Sequence, residues 1–299
     1  MLETKLSKDD AGITKILISE RDYDSSFGFQ ADTEDRKAFF RLCSAVKQCG
    51  NAARANQSRI HRSFKYDGSI LTETDLAVSD AILYQLGVLY PDCNIITEEI
   101  ELHDFSEHAR YTFVLDPIDG TDAYSQGLPA WAVAIGILDA DRRPCGGIIY
   151  APRFGVGEQE LFLCSLPGEK DIYLNGKKHE TPKHYNSPKQ MVIGSNMMRF
   201  VDLKPFKGKL RAFGSSIVHM IAPLVFSNLD CTINPRCFAW DVAASNGILV
   251  KSDLDIRYIN GSEIEYDDVI LRERKEVRMP ILVGNRGCVK WMQDNLSVL

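Results

Sequence analysis

The run Tyr111-Thr-Phe-Val114 has the apolar character of a strand interior, yet it leads without a break into Leu115-Asp116-Pro117-Ile118-Asp119-Gly120-Thr121. No other stretch restricts the fold as much. An ionised carboxylate held away from water is costly unless it is paired or bound to a cation. The pattern therefore predicts a strand that ends near Leu115 and hands two acids, three residues apart, to a loop. Pro117 fixes its own φ and pushes Asp116 toward extended geometry, while Gly120 permits conformations or close approaches that a side chain forbids. Asp116, Asp119, the Thr121 hydroxyl and the amides of Gly120 and Thr121 can then converge on one point, as a cation and phosphate site requires.

The residues after this loop support a sheet. Trp131–Leu138 and Gly146–Tyr150 are dense apolar runs separated by the turn Asp139-Ala-Asp-Arg-Arg-Pro, and Glu160–Cys164 and Ile172–Leu174 with the Asn175-Gly176 turn continue the series. Residues 111–180 thus read as an antiparallel meander. Upstream, Phe39, Leu42, Cys43, Val46 and Cys49 recur at helical spacing behind the capping signal Asp32-Thr-Glu-Asp-Arg, and Leu76, Val78 and Ile82 repeat that rhythm to about Leu89. Between these two helices lies Lys65-x-Asp-Gly-Ser, with a turn at Asp67-Gly68. From about residue 190 strands and helices alternate: Met191–Ser195, Leu210–Gly214, a helix His219–Phe226 opened by Ser215-Ser216, Cys231–Ile233, an alanine-rich helix entered at Trp240-Asp241, Ile281–Asn285 and a helix over 288–296. The change of rhythm divides the chain into an α+β unit over 1–188 and an α/β unit over 189–299. Residues 1–31 read as an arm or short irregular elements, 101–110 as an exposed loop, and the Lys/Arg-rich run 272–278 as a solvated segment between strands.

Composition narrows the function classes. Hydrophobic content of 44% and charged content of 25% are those of a soluble globular protein. A formal net charge of −6 argues against an electrostatic nucleic-acid binder. No apolar run reaches the roughly 18 residues of a membrane span, and the N-terminal stretch has no apolar targeting core, so a cytoplasmic location is expected. The eight cysteines are scattered without a Cys-x-x-Cys pair and read as reduced thiols, neither a disulfide framework nor a zinc site. The six histidines form no spaced cluster, and none is given a catalytic role.

Each further acid has an ordinary explanation by itself. Thr74 or Asp75 can cap the helix that follows, Glu98-Glu99 after Asn94-Ile-Ile can be a solvated pair, and Asp241 in a first helical turn complements the helix dipole. Together, Asp75, Glu98, Asp116, Asp119 and Asp241 all lie where a strand or loop meets a helix or turn. Five such carboxylates, with no His or Cys among them, suit a hard cation, Mg²⁺ or Mn²⁺, that bridges acids to a substrate phosphate. Hydrolysis of a phosphate ester needs neutralised phosphate oxygens and an activated water, which metal ions supply.

Glu98-Glu99 after an apolar strand, Asp116-Pro-Ile-Asp-Gly-Thr121 and Trp240-Asp241-Val-Ala-Ala, with Lys65-x-Asp-Gly-Ser and Thr72-x-Thr-Asp75 upstream, resemble the inositol monophosphatase family. That family is grouped with the fructose-1,6-bisphosphatases among magnesium-dependent, lithium-sensitive phosphatases. The resemblance runs from about residue 35 to the C-terminus and implies a layered αβαβα sandwich, a homodimer and a small phosphate ester as substrate. It implies that Glu98, Asp116 and the carbonyl of Ile118 hold one ion, that Asp116, Asp119 and Asp241 hold a second, and that a third, weaker ion sits near Glu98. Asp75, Thr121 and Glu98 form the implied catalytic group, with Asp75 and Thr121 orienting and deprotonating the attacking water. The amides of Gly120 and Thr121 would receive phosphate, and no covalent phosphoenzyme is implied.

The departures bear on substrate. Inositol-specific members carry a glutamate where this chain has Asn234, followed by Pro235 and Arg236, which points away from myo-inositol phosphate. Arg236 suits a second anionic group, in a bisphosphate or nucleotide, or is an exposed structural arginine. Asp122 adds an acid beside the site, and Ser215 and Ser216 read either as a helix cap or as a phosphate-binding or substrate-binding pair. The alternatives are a phosphatase for 3′-phosphoadenosine 5′-phosphate, fructose 1,6-bisphosphate or histidinol phosphate, and a non-catalytic binder of phosphometabolites.

Overall fold

The meander forms the larger of two central sheets. In the computed structural model, which describes residues 6–8, 14–19, 27–60, 62–64, 70–101, 104–157 and 159–299, strands from Thr112–Asp119 to Lys177–Lys178 pair antiparallel in chain order. Asn94–Thr97 joins its edge in parallel to make seven strands. The Lys65-x-Asp-Gly-Ser segment with its turn, and His61 and His103, lie outside the described residues.

Helices α1 (Glu34–Asn56) and α2 (Glu73–Leu89) cover one face of this sheet. The stripe Phe39, Leu42, Cys43, Val46 and Cys49 is buried there against Phe113, Leu115, Ile135 and Ile148. The cap of α1 is Thr33, whose hydroxyl accepts from the Arg36 amide at 3.2 Å, with Glu34 and Asp35 in the first turn. A one-turn helix α3 (Thr121–Ser125) follows the long strand. Against the opposite face pack α4 (Ser216–Val225) and α5 (Ala239–Leu249). Beyond them lies a mixed five-stranded sheet, in spatial order Lys209–Arg211, Gln190–Ile193, Cys231–Asn234, Ile281–Gly284, Asp255–Tyr258. The short α6 (Asp268–Leu271) precedes its fourth strand, and α7 (Arg286–Asn295) closes the outer face through Cys288, Val289 and Met292. The result is the expected layered αβαβα sandwich. Among the described residues no helix is long and apolar enough to cross a membrane.

The seat of α5 depends on glycine. A Cβ on Gly136 would lie 2.4 Å from the Ala243 carbonyl carbon, and one on Gly147 would lie 2.6 Å from the Ala244 oxygen. The helix backbone therefore rests directly on the sheet, which fixes where the N-terminal turn of α5, and with it Asp241, must be.

Two elements go beyond the expectations, and one expectation is refined. Strand Asp255–Tyr258 was not anticipated, because at the sheet edge Asp-Ile-Arg-Tyr is mostly half-buried and shows no clean alternation. The region before residue 31 contains a paired element, Leu6–Lys8 with Thr14–Ile16. The run 272–278 is solvated at 272, 273, 275, 276 and 278, as expected, but it is anchored: Arg274 is half-buried, Val277 is fully buried, and the Val277 amide donates to the Cys237 carbonyl at 2.7 Å.

Candidate metal centre

The strand expected to stop at Leu115 runs on through Asp119 and is buried at every position. Asp116 and Asp119 are 1% and 4% exposed. In a regular strand, residues three apart point to opposite faces. Here the register slips between Asp116 and Asp119, and a bulge of this kind re-aims a side chain. Ile118 consequently rejoins Phe113 and Leu115 on the α1/α2 side, and both acids face α4 and α5. One oxygen each from Asp116, Asp119 and Asp241 lies within 4.8 Å of the others. A buried strand does have a use for two carboxylates when a second layer brings a third to meet them.

Asp119 is held by the start of α4. The Ser215 hydroxyl donates to its Oδ2, the Ile217 amide donates to the same atom at 2.8 Å, and the Ser216 amide reaches Oδ1 at 3.2 Å. Ser215 also accepts from the Val218 amide at 3.0 Å as the helix cap. Helix N-termini favour an anion in this position. The loop before α4 presses on Gly120, whose φ is +87° and whose absent Cβ would sit 3.0 Å from the Gly214 oxygen and 3.2 Å from that of Ala130. Glycine meets both requirements at once. Asp241 occupies the third position of α5 and accepts from the Phe238 amide at 2.8 Å.

Asp75 does cap its helix, though not as the first residue. Thr72 is the N-cap, and Asp75 completes a capping box by accepting from the Thr72 amide at 2.9 Å and from its hydroxyl. The other oxygen, Oδ1, lies 3.1 Å from the Thr121 hydroxyl, which is also 2.8 Å from the Ile118 carbonyl. Thr121 has one hydrogen and two acceptors in reach. Asp75 is fully buried.

The electrostatics are those of uncompensated acid. Burial pushes Asp75 up to about 6 against its Thr72 hydrogen bonds, with the Glu98 charge raising it further. Burial likewise raises Asp119 to about 6, although the Ser215, Ile217 and Ser216 donors work the other way. Asp116 stands well above the usual carboxylate range, from burial first and then from Glu98, Asp119, Asp241 and Asp75. Among the described residues its Oδ1 is buried without a hydrogen-bond partner. All-oxygen acids at this spacing with one orphaned buried oxygen fit a hard divalent cation.

Two contributors escaped the sequence. Arg274 donates to the carbonyls of Thr97 and Glu98, each at 2.8 Å, and lies 4.6 Å above the Trp240 ring. Within Arg272-Glu-Arg-Lys-Glu nothing distinguishes it. His219 is buried in α4, and burial lowers its pKa to about 4. Its neutral Nε2 accepts from the Phe213 and Gly214 amides at 2.8 and 3.2 Å, which holds the loop that presents Ser215. A lone His in an apolar helix carries no signal of that role.

The expected substrate contacts do not gather at the acids as a group. Asn234 is fully buried, with its amide directed to the Ser216 carbonyl at 3.2 Å. Arg236 is exposed and 3.5 Å from Glu276. Asp122 is exposed and accepts from Gln126 at 2.8 Å.

Comparison with known proteins gives the same picture. The model of the inositol monophosphatase family matches residues 34–251. A fructose-1,6-bisphosphatase/inositol-1-monophosphatase of Methanocaldococcus jannaschii is 28% identical over 180 residues, 58% of this chain and 66% of that protein, just under two thirds of its length. A 3′(2′),5′-bisphosphate nucleotidase CysQ of Buchnera aphidicola is 24% identical over 242 residues, 77% of this chain and 88% of the relative. Among solved structures, an IMPase/NADP phosphatase complexed with Mg²⁺ and phosphate superposes with a TM-score of 0.71 at 16% identity, covering 88% of this chain and 95% of the other.

Proposed function

The chain belongs to the inositol monophosphatase family, and from that premise we propose that it is a Mg²⁺-dependent phosphomonoesterase for a small phosphorylated sugar, polyol or related metabolite. The observation that carries this is the convergence of Asp116, Asp119 and Asp241, from a strand bulge and a helix N-terminus in different halves of the chain, around an orphaned Asp116 oxygen. The two sheets fall on either side of residue 188, which supports sub-domains at 1–188 and 189–299 meeting at the site.

Glu98, Asp116 and the Ile118 carbonyl would hold one Mg²⁺, and Asp116, Asp119 and Asp241 a second, with Mn²⁺ as a substitute. When bound, such ions neutralise phosphate oxygens and acidify water. The chain's own part is positional. Thr72 fixes one oxygen of Asp75 and leaves Oδ1 beside Thr121, where an attacking water can lose its proton to the carboxylate. Ser215 and two α4 amides hold Asp119 in place. The positive φ of Gly120 and its close packing against Gly214 and Ala130 fix the backbone of residues 120 and 121, whose amides would receive the phosphate.

Asn234 gives no carboxylate for sugar hydroxyls, which supports a substrate other than myo-inositol phosphate, with bisphosphates as the second reading in view of the CysQ relative. A turnover panel of inositol 1-phosphate, fructose 1,6-bisphosphate, 3′-phosphoadenosine 5′-phosphate and histidinol phosphate, with Mg²⁺ and with EDTA, tests both. Phosphate release that needs Mg²⁺ and disappears in Asp75→Asn is expected. Full activity in EDTA would sink the metal mechanism, and no release from any ester would leave the non-catalytic binder.

A further inference from the structure

Glu98 and Asp241 approach the acid cluster from opposite halves of the chain, and Arg274 touches the backbone of one and the neighbour of the other. Its guanidinium donates through one nitrogen to Thr97 O at 2.8 Å and Ile100 O at 3.4 Å, and through the other to Glu98 O at 2.8 Å. Its Cζ lies 4.6 Å from the Trp240 ring centre, and that ring stacks on Phe238 at 4.8 Å and 12°. Trp240 directly precedes Asp241 in α5, and the Phe238 amide is the donor to Asp241.

The main chain around Arg274 is built to hold it there. Residue 274 has a φ of +54°, in the left-handed region that non-glycine residues rarely occupy. Before it the Glu273 amide donates to the Asp268 carbonyl, and after it the Lys275 amide donates to Val269 and the Val277 amide to Cys237. Arginine suits the task because its rigid fork can serve several carbonyls and stack on an aromatic face together, which a lysine ammonium cannot.

We propose that Arg274 is a positioning residue that sets the distance between the Glu98 turn and the N-terminus of α5, and so sets the affinity of the site for Mg²⁺. The inference rests on the metal-dependent phosphatase reading of the acids. Charge and position make opposite predictions. A cation beside Glu98 repels Mg²⁺, so if only its charge mattered, Arg274→Ala would bind Mg²⁺ more tightly. Outer contacts that orient ligands typically contribute 10–100-fold in metal affinity, so the positioning role predicts weaker binding.

The measurement is calorimetric titration of the full chain with MgCl₂, checked by Mn²⁺ electron paramagnetic resonance, with melting in EDTA recorded alongside. Roughly tenfold weaker Mg²⁺ binding is expected in both Arg274→Ala and Arg274→Lys, with wild-type affinity in Arg272→Ala, whose exposed side chain instead pairs with Asp268 and Glu107. Where the alanine variant does not yield folded protein, the lysine variant decides. Unchanged or tighter Mg²⁺ binding in Arg274→Lys overturns the proposal, whatever its melting temperature does. A wild-type protein that neither binds Mg²⁺ nor releases phosphate overturns the phosphatase reading instead.

Discussion

The acid cluster proposed as the metal wall and the residues proposed as the substrate rim are built to different standards. At the wall, Asp116 and Asp119 are buried in a strand, turned together by a bulge, and Asp119 is held by one hydroxyl and two helix amides. At the rim, Asp122 and Arg236 are exposed, each with one polar neighbour, and the Arg236–Glu276 pair is of the surface kind that contributes about 0–1 kcal/mol. The wall works against folding, a cost that the cation it is proposed to bind would offset. The rim adds little to stability, so changes there are expected to leave the fold intact.

The largest effect should come from Asp116→Asn. Phosphate release is expected to fall on the order of 10³-fold or more, about 4 kcal/mol of transition-state stabilisation. In EDTA at pH 7.5 the same variant should melt above wild type, by roughly 2–4 °C for each kcal/mol recovered, because it removes a buried charge that faces like charges. Calorimetry in EDTA checks this, and a lower melting temperature there would break the contrast between wall and rim.

The next effect is of pH on the metal-free protein. Asp75 and Asp119 titrate at about 6 when folded and near 3.8 when unperturbed. Between those values the folded state holds more protons than the unfolded chain, so stability falls as pH rises through that window. In EDTA the melting temperature should drop between pH 4.5 and 6.5, after the changes common to all carboxylates are subtracted with an Asp75→Asn/Asp119→Asn control that lacks both groups. Added Mg²⁺ should stabilise the protein far more at pH 7.5 than at pH 5. Equal Mg²⁺ stabilisation at both would show that the acids are already ionised and paired.

The smallest effect belongs to the rim. Arg236→Ala should change stability by no more than about 0.5 kcal/mol and leave kcat on a monophosphate near wild type. A loss confined to bisphosphates would sharpen the comparison by giving Arg236 a second anion to read. A large loss on every ester would place it at the wall.

The parts of the fold that were legible were those whose pattern has one explanation. The Phe39–Cys49 stripe, the meander and the Asp116-Pro-Ile-Asp-Gly-Thr turn each contradict most alternatives, and their elements stand where spacing put them within a few residues. Boundaries failed where long-range partners decide: Leu115 does not end its strand, which runs on buried to Asp119 beneath a second layer that brings Asp241, 125 residues after Asp116, to meet it. Thr72, not Thr74 or Asp75, opens α2, because the capping box uses both ends of one short segment.

By itself, then, the sequence determined the meander followed by alternating strands and helices, the acids and the kind of ion they suit, because charge in an apolar run and glycine at a turn are local statements. The αβαβα layering came from the family resemblance. The bulge that turns Asp116 and Asp119 to one face, the helix start that holds Asp119, and the reach of Arg274 to the carbonyls beside Glu98 were decided only by the tertiary structure. Each is a contact between segments 96 to 177 residues apart or a register shift between paired strands. Such contacts leave no periodicity in the chain, and the energy that makes them worthwhile exists only once both partners are in place.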